Sequence, residues 1–414
     1  MRQAPLPDAP PPDAPPPGAA WLSIVGLGED GLDGLPPASR AALAAAEIVM
    51  GAPRHLALLP DLAAESIAWP VPFADGLPVL HGLRGRRVAV LASGDPFWFG
   101  AGSVIARDLR PEEWRALPGP SAFSLAAARL GWPLERTLCV GLHAAPLTRL
   151  RPHLAPGLQA IVLLRDGAAV AELALYLSGQ GFGASRLTVM EALGGPREQL
   201  TRATADALPA TAFVHPVCVA VSVDGSGAAI PCASGIEDGF FDHDSQITKR
   251  PVRALTLSAL APVPGEMLWD IGGGSGSIAI EWLLRHPRMQ ATAIELRTDR
   301  AARIRANAAR LGVDRLQVVE GSAPEALAGL PPPQAVFVGG GLCEALLLHL
   351  QGCLAPGTRL VANAVTLESE ALLAGWQGRI GGELLRIELA QAAPLGGRLG
   401  WKAAYPVVQW RVVL

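Results

Sequence analysis

Residues 268–283 read LWDIGGGSGSIAIEWL, an apolar run that breaks into glycines and resumes as an apolar stretch of helical length. Strand, glycine turn, helix is the opening of a βαβ unit, and it commits the surrounding chain to a parallel sheet covered by helices. The neighbouring sequence keeps that rhythm. Apolar runs predict strands at 267–271, 291–295, 316–320, 334–339 and 358–364, and periodic stretches predict helices at 277–286, 299–311 and 343–351. The alternation implies a doubly wound α/β sheet with the glycine turn after its first strand.

A separate α/β series precedes it. WLSIVGLGEDG reads as a strand ending in glycines, SRAALAAAEIVMG as an Ala-rich helix leading into a strand, and RRVAVLASGDPFWFG as a strand with a tight turn. Helices follow in SVIARDL and SAFSLAAARLG. Next come the strand LQAIVLL, the helix AAVAELALYLSGQG, and the strands RLTVMEAL and VCVAVSV. These two sets make a bilobal α/β domain over residues 19–232. The polar, carboxylate-rich stretch 233–246 reads as a linker, and 247–414 as the second domain. Residues 1–18 are Pro-rich and acidic, a composition that buries no core and predicts an extended, disordered tail.

Bulk properties narrow the functional classes. A chain of 414 residues exceeds one ordinary core. With 34 Lys and Arg against 37 Asp and Glu it lacks the basic field that nucleic acid requires. Five cysteines without a CxxC pair or histidines at zinc spacing predict reduced thiols and no metal site. There is no signal peptide and no uninterrupted apolar run of membrane-spanning length, so a cytoplasmic protein with no membrane partner is expected.

Glycine turns of this type serve either dinucleotides or S-adenosylmethionine. The dinucleotide fingerprint needs glycine at its first, third and sixth positions; here Gly272 and Gly274 comply but the sixth is Ser277. The pattern present, Asp270-x-Gly272-x-Gly274-x-Gly276, resembles the first motif of Rossmann-like S-adenosylmethionine methyltransferases. That cofactor has no pyrophosphate to lay on a helix N-terminus, and its methionine tail needs close backbone approach. Glu295, at the next strand end, is placed to accept hydrogen bonds from both ribose hydroxyls, although an acid there would serve dinucleotides equally.

In the first half, IVGLGEDG, LASGDPFWFG and PGPSAFSLAAARLGWP together resemble the tetrapyrrole methylases. By that resemblance Gly94, Asp95 and Pro96 form a loop under the cofactor. Ser121 and Ala122 add contacts at a helix start, and Gly26 and Gly28 keep the cleft floor open. Ser121 also suits a plain helix N-cap.

The two halves joined resemble the precorrin-6Y C5,15-methyltransferase (decarboxylating) family, on the stretches EIVMGAPRHLALLP, ITKRPVRALTLS, GSAPEAL, VFVGGG and ANAVTLES. The resemblance implies C5 methylation of a tetrapyrrole by the first domain. The second would methylate C15 and remove CO2 from the ring-C acetate, each domain using its own S-adenosylmethionine. It assigns Thr248, Gly272, Gly273, Gly274, Ser275, Gly276, Glu295 and Ala323 to the second cofactor. Gln334 and Ser322 stand where acids are common and depart from the pattern. A homo-oligomer is also implied.

A polycarboxylate substrate calls for cationic partners. Lys249, Arg250 and Arg253 are candidates at the second site, and Arg54 and His55 at the first. Alignment of an activated methyl needs no strong base, and no residue is assigned as catalytic. A methylase of another tetrapyrrole with one half degenerate, an NAD(P)-linked oxidoreductase and a non-catalytic tetrapyrrole carrier are the competing possibilities.

Overall fold

The computed structural model describes residues 20–60 and 62–414, so the expected tail at 1–18 lies outside the described residues. They form two compact units. The first comprises residues 20–145 and Ala155–Ala228; the second comprises Pro146–Leu154 and Ala229–Leu414.

The first unit contains two five-stranded sheets. Strands β1 (Leu22–Leu27), β2 (Ile48–Gly51), β3 (Glu65–Ala68), β4 (Val88–Ser93) and β5 (Trp114–Leu117) are all parallel, in the order β3-β2-β4-β1-β5. Every residue of β1 is buried, as a continuous apolar run in a parallel sheet covered on both faces requires. The second sheet contains β6 (Leu138–Gly141), β7 (Gln159–Leu163), β8 (Arg186–Glu191), β9 (Gln199–Thr204) and β10 (Val217–Ser222), ordered β6-β7-β10-β8-β9. Only its β6–β7 pair is parallel. The edge strands β3, β5, β6 and β9 escape the sequence reading because none is fully buried, which leaves no clean apolar signal.

The second unit is built on one seven-stranded sheet. Its strands are β11 (Met267–Ile271), β12 (Gln290–Glu295), β13 (Gln317–Glu320), β14 (Ala335–Val338), β15 (Arg359–Ala364), β16 (Glu383–Ile387) and β19 (Val407–Val413). They run in the order β13-β12-β11-β14-β15-β19-β16, with β19 antiparallel between its neighbours. The remaining strands, β17 (Ala390–Leu395) and β18 (Arg398–Ala403), pair only with each other. Strand order reverses at β11, and a doubly wound sheet opens a ligand crevice at the carboxyl end of such a strand.

Packing corrects the linker. Ile236 and Phe241 belong to the core of the second unit, and the backbone N–H groups of Gly235 and Ile236 donate to the buried Glu281 carboxylate. Residues 233–246 are therefore an integral strap of that unit, because apolar residues inside a polar stretch find a core to fill. Pro146–Leu154 also belongs there, with Arg149 gripping Asp314 bidentately at 2.9 and 3.0 Å.

Candidate functional site

In the second unit the glycine turn forms as read: β11 ends at Ile271 and the helix Ser277–Leu284 begins six residues later. Gly272, Gly274 and Gly276 all have left-handed backbone, with φ of 75°, 60° and 77°. Their surroundings differ sharply. A Cβ on Gly272 would strike the Gly340 backbone at 2.5 Å, and one on Gly273 or Gly276 would meet Ile304 at 2.9 or 2.8 Å. Those glycines allow close packing of protein on protein. Only at Gly274 does the Cβ direction open, its nearest neighbours being the carbonyl oxygens of Gln246 at 3.6 Å and Gly272 at 4.0 Å.

Glu295 closes β12 beside this turn. Its Oε2 accepts from the Gly274 N–H at 2.8 Å and its Oε1 from the Arg297 N–H at 3.0 Å. Each carboxylate oxygen retains a further acceptor position. Ser275 is buried, and its Oγ has no hydrogen-bond partner among the described residues. A side-chain-free cradle, an acid at the adjacent strand end and an unsatisfied hydroxyl together fit the methionine tail and ribose of S-adenosylmethionine.

Beneath the turn lies Asp270, a group with no assigned role in the sequence reading although it opens the glycine motif. Its Oδ2 accepts from the Ala279 N–H at 3.1 Å. Burial pushes its carboxyl up to about 7, against that hydrogen bond and with some help from the charge of Glu295.

The other assigned residues are placed unevenly. Thr248 lies just before the helix Arg250–Leu260, its carbonyl accepting from Arg253. Ala323 sits in the loop after β13, packed against the core around Leu327 and Val338. Lys249 and Arg250 are exposed beside Asp238 and Glu237. Arg253 is a correction: its side chain is wholly buried and committed to Glu281, Asp238 and the Ile236 and Thr248 carbonyls, so it cannot reach a substrate.

In the first unit the ends of β1 and β4 and the turn before the helix Ala122–Leu130 converge. Gly119 N–H donates to the Gly94 carbonyl at 3.0 Å, and a Cβ on Gly26 would lie 1.8 Å from that same oxygen. Gly94, at φ 52°, packs against Pro120 and Ser121. Gly26 thus does not keep a cleft floor open; it lets backbones touch, and the space at Gly28 is taken by the Asp30 carboxylate. Asp95 folds its own loop by accepting from the Phe97 N–H at 2.8 Å, and the Pro96 carbonyl takes the Gly102 N–H at the same distance. Ser121 caps the helix, accepting from the Ser124 N–H, and Ala122 is its first residue.

Arg54 donates to Glu29 at 2.8 Å and to Ser93 Oγ at 2.5 Å, while Arg197 takes the other Glu29 oxygen at 3.0 Å. His55 is a further correction. Burial, with Arg54 and His215 adding to it, holds its imidazole down at about 3, so it is neutral and offers no charge to a carboxylate.

Residues 22–209 match the family described as Tetrapyrrole (Corrin/Porphyrin) Methylases, and 239–414 the one described as Precorrin methyltransferase domain. A precorrin-6Y C(5,15)-methyltransferase [decarboxylating] of Sinorhizobium sp is 51% identical over 395 residues, covering 94% of this chain and 95% of that one. A protein of the same description from Mycobacterium tuberculosis (strain ATCC 25618 / H37Rv) is 41% identical over 402 residues, 94% and 98% of the two chains. A cobalt-precorrin-6B C(15)-methyltransferase (decarboxylating) of Salmonella typhimurium is 33% identical over 166 residues, 39% of this chain and 85% of its own.

Proposed function

Because the chain belongs to the precorrin-6Y C5,15-methyltransferase (decarboxylating) family, we propose that its two units divide that activity, each with its own S-adenosylmethionine. As a member it is an S-adenosylmethionine-dependent enzyme of cobalamin biosynthesis. It methylates precorrin-6Y at C5 and C15 and decarboxylates the C12 acetate, giving precorrin-8. The first unit takes C5. The second takes C15 and the release of CO2, an assignment supported by the shorter relative named for those two steps.

For the second unit one observation carries the proposal: of the glycines between β11 and its helix, only Gly274 opens onto free space, with Glu295 at its edge. When bound, S-adenosylmethionine supplies a methyl already activated by its sulfonium. The chain then has only to align it, and residues held on strand ends do so with little freedom to lose. Gly274 admits the tail, Glu295 receives ribose hydroxyls, and Ser275 Oγ gains a partner. Lys249 and Arg250 receive carboxylates of the macrocycle. Methylation at C15 leaves an electron-poor ring system that accepts the electron pair released as the acetate loses CO2. In the first unit the loop Gly94–Asp95–Pro96 and the Ser121–Ala122 helix start face the second donor, with Arg54 toward the substrate.

Assembly into a homo-oligomer through the β17–β18 hairpin and the turn after it is part of this proposal. Leu399 and Trp401 share one face of the hairpin, Leu395 lies on the other and Tyr405 follows in the loop; each is more than 70% exposed, apolar surface that a lone copy would leave in water. No helix among the described residues is long and apolar enough to cross a membrane, and we place the enzyme in the cytoplasm. Calorimetric titration of the full chain with S-adenosylhomocysteine tests the donor assignment, with two sites expected. Binding of NADH in place of S-adenosylhomocysteine would overturn it.

A further inference from the structure

The strap before the helix Arg250–Leu260 has a role beyond connection. We propose that it walls the methionine end of the second unit's donor site, with the Gln246 carbonyl oxygen accepting from the donor's ammonium group; this rests on that unit holding S-adenosylmethionine. The Gln246 and Gly272 carbonyl oxygens are the two groups within 4 Å of the Cβ direction at Gly274. A carbonyl can only accept and an ammonium can only donate, so the space between them suits a cationic donor group and repels a carboxylate. The tail of S-adenosylmethionine carries one such group.

The strap is held firmly enough to present that oxygen. Asn307, buried in the helix Thr298–Arg310, donates to the Asp242 carbonyl at 2.9 Å and the Ser275 carbonyl at 3.0 Å and accepts from the Asp242 N–H at 2.9 Å. One buried amide thereby joins strap to glycine turn. Asp244 accepts from Arg300 Nε at 2.9 Å, and that bond chiefly holds its carboxyl at about 2, charged throughout the working range. Ser245, immediately before Gln246, has a φ of 73°, a left-handed conformation that side chains adopt at a cost and that persists where the surroundings impose it. Nothing in a free linker would impose it.

Two ligands separate this assignment from the one beneath it: S-adenosylhomocysteine, which carries the amino-acid tail, and methylthioadenosine, which lacks it. Amide hydrogen exchange on the full chain reads occupancy at the glycine turn and protection at 243–248 independently. S-adenosylhomocysteine is expected to slow exchange in 243–248 about tenfold or more, and methylthioadenosine to leave it unchanged while still protecting 272–276. Arg300→Met, which takes from the strap's Asp244 the nearer of its two arginines and leaves it Arg303 at 3.4 Å, is expected to weaken S-adenosylhomocysteine binding about tenfold and spare methylthioadenosine. Equal protection of the strap by both ligands, none by either with the turn occupied, or unchanged or equally weakened binding in Arg300→Met overturns the role of the strap. Failure of both ligands to protect 272–276 instead overturns the donor site itself.

Discussion

Arg253 Nε and Glu281 Oε1 meet at 2.5 Å with neither side chain exposed to solvent. The pair joins the helix Arg250–Leu260 to the helix that follows the glycine turn. Two charges are costly to bury, and this pair is tolerable because its other valences are also satisfied. Glu281 takes the Gly235 and Ile236 N–H groups, and the guanidinium lies 4.9 Å from the centre of the Phe241 ring. One arginine thus fastens both ends of the strap.

Removing one partner strands the other. Arg253→Met is expected to destabilise the second unit by about 3–5 kcal/mol, because Glu281 keeps a buried charge without its counter-ion. The double variant Arg253→Met/Glu281→Leu should recover much of that loss. Urea unfolding of the three proteins checks it; a single variant costing less than about 1 kcal/mol would show that water reaches the pair.

Gly274→Val meets two obstacles, a φ of 60° that valine resists and a side chain filling the one open space in the turn. C15 methylation and CO2 release should fall together by at least about a hundredfold. C5 methylation should persist. Product masses read both outcomes at once, and an unchanged product would refute the placement of the donor.

Asp270 makes the second unit sensitive to pH. Its unfolded value is about 3.9 and its folded one about 7, so between these pH values the folded state holds a proton that the unfolded state has released. Its contribution to stability is complete below about pH 4 and is lost as pH rises through about 7. Asp270→Asn cannot ionise. Its melting temperature relative to the parent should therefore climb from pH 4 to pH 8, by at least about 2 °C. A difference that stays flat with pH would mean that the carboxyl titrates normally.

Trp401→Lys places a charge on the exposed β17–β18 hairpin. Sedimentation is expected to show dissociation to a smaller species with unchanged circular dichroism. Unaltered sedimentation would exclude this hairpin as the contact between copies.

Much of the site could be read along the chain, because its signals are local. The strand at 267–271, the glycines after it, the helix from Ser277 and an acid closing the next strand are consecutive features set by side-chain period and backbone freedom. The same held for Ser121, whose position before an Ala-rich run announces a cap that the structure forms. Other properties belong to neighbours remote in sequence. Gly272 and Gly274 look alike in the chain, yet Gly340 fills the space beside one and only Gln246 and Gly272 carbonyls border the other. Arg253 looks like its neighbours Lys249 and Arg250 until Glu281 draws it inside. The stretch 233–246 has a linker's polarity, and its Phe241 and Ile236 become core only because the second unit's sheet and helices leave a place for them. Composition and spacing determined which elements form and what chemistry they carry. Tertiary packing decided which of those groups face open space, because burial and direction are set by atoms that the chain brings together only on folding.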